Sequence, residues 1–105
     1  MSESTLIYSV MQALGRFGAV FRTNAGSVRL ANGRTFHGLP KGFSDVLFIR
    51  ADGRACFIET KVKPNKPTPE QIAFIEKMRG LGCLAGVAYS VGEALHICRI
   101  EQEAL

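Results

Sequence analysis

Apolar residues first recur at Leu6, Ile7, Val10, Met11 and Leu14, with Gly15 after the last. Steps of three and four predict an amphipathic helix that stops near Gly15. Val20-Phe21-Arg22-Thr23 reads as a short strand. Val28-Arg29-Leu30 and Arg34-Thr35-Phe36 flank Asn32-Gly33, a strong hairpin signal, and His37 to Gly42 reads as a loop. Two denser runs follow, Val46-Leu47-Phe48-Ile49 and Ala55-Cys56-Phe57-Ile58, joined by Ala51-Asp52-Gly53. Both are apolar at successive positions, so helices should cover both of their faces. Thr68 suits an N-cap and Pro69 a first helical position, with Ile72, Ile75 and Met78 as the buried face of the helix they open. Leu84 to Tyr89 is another buried strand. Ser90 and Glu93 fit a capping box for a last helix that turns Ala94, Leu95 and Cys98 inward. The expected architecture is α/β (α+β): one domain over residues 1–105, a small central sheet with helices on both faces.

Composition narrows the class. The chain has 105 residues, 47% of them hydrophobic, which suits a globular core rather than disorder. No run approaches the roughly 20 apolar residues of a membrane span. The polar opening Met1 to Thr5 has no basic start, so no secretory signal is expected. Cys56, Cys83 and Cys98 are odd in number, lie in apolar stretches and lack metal-ligand spacing. They read as reduced core residues of a cytoplasmic protein. His37 and His96 are isolated, which leaves zinc short of ligands.

Charge is distributed unevenly. The net charge is +4, but residues 16–66 hold ten Lys or Arg against three acids, and the two ends together are acidic. A polyanion-binding face requires such a bias, although a solvated basic surface shows it too.

The polar residues inside the apolar runs carry the chemistry. Glu59 and Lys61 interrupt a strand and, two residues apart, share one face. Burying such charges is costly unless they are paired or hold a metal. Asp45 opens the preceding strand. A two-residue Asp52-Gly53 turn would set Asp45 opposite Thr60. A three-residue Ala51-Asp52-Gly53 loop, with Gly53 left-handed, pairs Arg50 with Arg54 and sets Asp45 opposite Glu59. Two carboxylates about 4.5–5.5 Å apart at Cα repel unless a cation sits between them. The odd-length loop is therefore predicted, because only it builds a site for Mg²⁺ or Mn²⁺. A bare E-x-K is weak by itself: roughly one chain in three of this length carries one by chance.

The combination Ser44-Asp45 and Glu59-Thr60-Lys61 resembles the signature of the PD-(D/E)XK nuclease superfamily, with Ser44 where its name has proline. The flanks Arg22-Thr23-Asn24-Ala25-Gly26, Pro40-Lys41-Gly42-Phe43-Ser44-Asp45, Ile58-Glu59-Thr60-Lys61 and Thr68-Pro69-Glu70-Gln71-Ile72-Ala73-Phe74 resemble the viral replication and repair nuclease domain, VRR-NUC. The resemblance spans nearly the whole chain. It implies a restriction-endonuclease-like mixed sheet flanked by helices, a divalent cation, and hydrolysis of DNA phosphodiester bonds. By position it implies Asp45, Glu59 and the Thr60 backbone carbonyl as metal ligands, Lys61 as the group that orients the water, and Gln71 reaching in from the start of its helix. It further implies a homodimer, as in junction resolvases, and the cytoplasm of a bacterium or phage-infected cell.

Several residues keep two readings. Gln71 shares a stripe with Phe74, Ile75 and Met78, yet it also completes a capping box with Thr68. Glu3 continues the core stripe of the first helix, so it either joins the metal or complements the helix dipole. Asn24, Arg29, Arg34, Lys41, Ser44, Lys63 and Lys66 either contact DNA phosphates or belong to an ordinary solvated surface. The leading function is a metal-dependent DNA endonuclease acting on branched or four-way-junction DNA, because so small a chain has no evident recognition helix. The alternatives are action on flaps or simple duplex, a DNA-binding module without chemistry, and an interaction protein with a chance ion pair.

Overall fold

A computed structural model describes residues 1–23 and 27–101. The first helix, α1, spans Glu3–Leu14, N-capped by Ser2, whose hydroxyl accepts from the Thr5 amide. The strands β1 (Gly18–Arg22), β2 (Ser27–Arg29), β3 (Thr35–His37), β4 (Val46–Arg50) and β5 (Ala55–Thr60) follow. Then come α2 (Pro69–Gly80), β6 (Leu84–Ala88) and α3 (Val91–Ile97).

Four strands form a mixed sheet in the order β1-β4-β5-β6. The β1/β4 and β4/β5 pairs are antiparallel, while β5 and β6 run parallel across the α2 crossover. Hydrophobic alternation splits the core accordingly. Val46, Phe48, Cys56 and Ile58 pack against Leu6, Val10 and Leu14 of α1 and Ala94 and Leu95 of α3. Phe57 and Ala85 pack on the other face against Ile75 of α2. The expected helices on both faces are present. Strands β2 and β3 make a separate two-stranded sheet. The three cysteines are free, and Cys56 and Cys98 are fully buried.

The β4–β5 connection is the three-residue loop. The Arg50 amide donates to Arg54 O at 3.0 Å, the Gly53 amide to Arg50 O at 2.8 Å, and Gly53 has φ +85°. That backbone state favours glycine, so Ala51-Asp52-Gly53 fixes the register, and Val46 pairs with Ile58.

Three expectations shift. Ile72 is 43% exposed rather than buried. At 100° per residue, Gln71, Phe74, Ile75 and Met78 cluster on one face of α2 and Ile72 falls about 110° from its centre. His37 ends β3 rather than opening a loop. The reciprocal half of the Ser90 cap also moves by one residue, because Glu93 Oε1 accepts from the Tyr89 amide at 2.8 Å.

Candidate metal centre

The site gathers where β4 begins and β5 ends. Extending the β4/β5 register one step beyond Val46–Ile58 places Asp45 opposite Glu59. The backbone at Asp45 is held by Thr23: its amide donates to Asp45 O at 2.8 Å, and its hydroxyl donates to Ser44 O. On the other side Phe43 packs at ring-centroid distances of 5.7 Å from Phe57 and 4.5 Å from Phe74. Gly42 carries φ +93°, and a β-carbon there would come within 2.6 Å of Glu70 O in α2. Only glycine allows so close an approach, which seats the segment before Asp45 against the first turn of α2.

Asp45 is anchored by β5. Its Oδ2 accepts from the Thr60 amide at 3.0 Å and the Thr60 hydroxyl at 2.8 Å. Glu59 is 1% exposed, and Lys61 Nζ lies 3.8 Å from its Oε2. The Lys61 amide donates to Ala88 O at 3.0 Å, so β6 holds the backbone of that lysine. Glu3, from the first turn of α1, completes the group. One carboxylate oxygen each from Glu3, Asp45 and Glu59 lie within 4.8 Å of one another.

Electrostatics makes this cluster costly without a cation. Burial above all, then the Asp45 charge and hydrogen bond, pushes Glu59 up to about 8, against the opposing pull of Lys61. With both acids ionised, Glu59 Oε1 has no hydrogen-bond partner among the described residues. A proton shared with Asp45 relieves that, and so would a cation. Oxygens sharing one Mg²⁺ stand roughly 3–4 Å apart, so the three carboxylates fit a hard divalent ion after small side-chain shifts.

The remaining expected site residues lie at different depths. Gln71 forms the capping box: its Oε1 accepts from the Thr68 amide at 2.8 Å, and its own amide donates to Thr68 Oγ1 at 3.2 Å. Only its side-chain NH₂ group is left for a role at the centre. Arg29, Arg34, Lys41, Lys63 and Lys66 are exposed, with Lys63 Nζ 5.9 Å from the Tyr89 ring centroid. Ser44 is 1% exposed, so the outer surface does not include it. Asn24 lies outside the described residues. Thr23 is a further positioning group, signalled in the sequence only by its place in the Arg22–Gly26 motif.

The family model for the VRR-NUC domain matches residues 19–92. The chain belongs to the VRR-NUC family. A solved structure described as a VRR_NUC domain matches 92% of this chain and 94% of its own, with 22% identity and a TM-score of 0.66. At that identity the likeness is one of fold. No curated protein sequence matches at a significant level. The VRR-NUC domain is a nuclease-type fold, which implies DNA as the partner, and such domains generally depend on a divalent metal. No helix among the described residues is long and apolar enough to cross a membrane.

Proposed function

We propose that this chain is a metal-dependent DNA endonuclease that hydrolyses phosphodiester bonds in branched or four-way-junction DNA. The observation that carries the reading is the convergence of Glu3, Asp45 and Glu59 within 4.8 Å, with Lys61 beside Glu59. Glu3, Asp45, Glu59 and the Thr60 backbone carbonyl would hold Mg²⁺ or Mn²⁺. When bound, the ion supplies positive charge at the phosphate and acidity to a water.

The protein's own groups do the positioning. Thr60 holds the Asp45 carboxylate and Thr23 its backbone, so the carboxylate needs little reorganisation when the substrate arrives. Lys61 is partly buried with its backbone held by β6, and in this reading its positive charge would act on the attacking water and the phosphate oxygens. Gln71 offers its side-chain NH₂ from the first turn of α2. The exposed Arg29, Arg34, Lys41, Lys63 and Lys66, together with Asn24, bind the phosphate backbone without reading bases.

The test is cleavage of labelled duplex, flap and four-way-junction substrates with Mg²⁺ or Mn²⁺. Asp45→Ala and Lys61→Ala should each lower the rate at least about a hundredfold, and EDTA should abolish it. DNA binding without cleavage in the wild type would leave only the binding module. Equal cleavage by wild type and both variants would remove the assigned centre.

A further inference from the structure

The opposite end of the sheet, where β5 and β6 begin, holds a second polar feature. A cavity of about 420 Å³ opens between the C-terminal ends of α2 and α3. Arg54, Arg79, Arg99 and His96 line it above Cys83 and Ala85, and none of its lining residues is acidic. From Arg54 to Glu59 the chain runs five residues along β5, which separates this cavity from the acidic centre by roughly 17 Å.

Two of the guanidinium groups are fixed in place. Arg79 Nε donates to Ala85 O at 2.8 Å and Arg54 Nε donates to Gly82 O at 3.1 Å. Each bond uses one nitrogen and leaves the terminal NH₂ pair for another acceptor. Two acids close in sequence, Asp52 and Glu93, are engaged by other groups. Asp52 accepts from the Arg50 side chain and the Arg54 amide, and Glu93 accepts from the Tyr89 amide.

Arg99 adds an independent sign. Its amide donates to His96 O at 3.0 Å and the Ile100 amide to Leu95 O at 2.9 Å, which is the Schellman closure of α3. The residue at that turn needs a left-handed backbone, and Arg99 adopts φ +55° where glycine would be unstrained. A strained arginine at the edge of a cationic cavity is the kind of local outlier that marks a ligand clamp.

We propose that this cavity binds a phosphate group, at a site separate from the acidic centre and independent of its metal. Among the described residues no salt bridge reaches these three arginines; their charge exceeds what a single carboxylate neutralises, whereas a phosphate carries up to two charges and oxygens that match the guanidinium fork. The phosphate is either part of a nucleic-acid strand or part of a free phosphate compound. The recognising chemistry is the same.

The experiment titrates the protein in EDTA, where no cleavage occurs, with inorganic pyrophosphate and with a labelled DNA duplex. Wild type is compared with Arg99→Gly and Arg54→Gln, and each is melted to confirm folding. Arg99→Gly should melt at or above the wild-type temperature yet bind about tenfold more weakly, and Arg54→Gln should weaken binding similarly. Weaker duplex binding identifies a strand phosphate, and weaker pyrophosphate binding alone identifies a free phosphate compound. Neither metal nor cleavage enters the titration, so a failure of the nuclease reading leaves this result intact. Unchanged affinity for both probes in folded Arg99→Gly and Arg54→Gln would overturn the proposal.

Discussion

Glu59 shows the conflict between stability and chemistry in a single side chain. Its folded pKa lies near 8 because burial and Asp45 both disfavour the carboxylate. In the unfolded chain it ionises near 4.5, so between those values the native state holds more protons and stability falls as pH rises. The stabilising contribution is complete below the unfolded value and lost as pH passes the folded one. In EDTA the melting temperature should therefore drop between about pH 5 and pH 8. Glu59→Gln should flatten that drop and melt higher than wild type at pH 8, while losing metal-dependent cleavage. Added Mg²⁺ should raise the wild-type melting temperature at pH 8 more than at pH 5, because the ion competes with the proton. Thermal melts across pH, with and without metal, check all three; a wild-type profile that rises towards pH 8 in EDTA would contradict the assignment.

Among the elements, α2 carries the one residue whose two roles can be separated. Gln71 closes the capping box with Thr68, and its NH₂ group is the part proposed for the site. Glutamate can close the same box but cannot donate from its side chain. Gln71→Glu should therefore keep the melting temperature and lower cleavage about tenfold or more. Gln71→Ala should lose both activity and about 1 kcal/mol of stability. Full activity in Gln71→Glu would confine the residue to capping. The close approach of Gly42 to the start of α2 and the packing of Phe43 against Phe57 and Phe74 join this helix to the Asp45 segment.

For the whole molecule, the one acidic cluster among the described residues would, in the proposed reaction, cut one strand per chain. Symmetrical cleavage of a four-way junction needs two centres related by a twofold axis, and a homodimer supplies them most simply. Sedimentation should give twice the 11.4 kDa chain mass, with junctions cut in paired, symmetrical positions. A monomer that nicks one strand or trims flaps would reverse this expectation. The exposed bases of residues 16–66 should make binding strongly salt-sensitive, with each phosphate contact contributing about one unit to the slope of log affinity against log salt.

Local physics made much of this legible in the sequence. Helical spacing in Leu6 to Leu14, the cap at Thr68-Pro69 and the left-handed Gly53 each depend on neighbours within a few residues, so they read directly. The loop length then set the register, and the register alone put Asp45 opposite Glu59. What the sequence left open depended on contacts between distant segments. Whether Glu3 joins the acids is decided by where α1 meets the sheet. Ile72 turns outward because α2 packs through Phe74, Ile75 and Met78. The Thr23 clasp on Ser44 and Asp45 needs β1 to pair with β4, and the arginine-lined cavity unites residues from positions 54, 79 and 99. Periodicity and spacing act along the chain; charge clusters and clasps arise only when burial brings separate elements to one place.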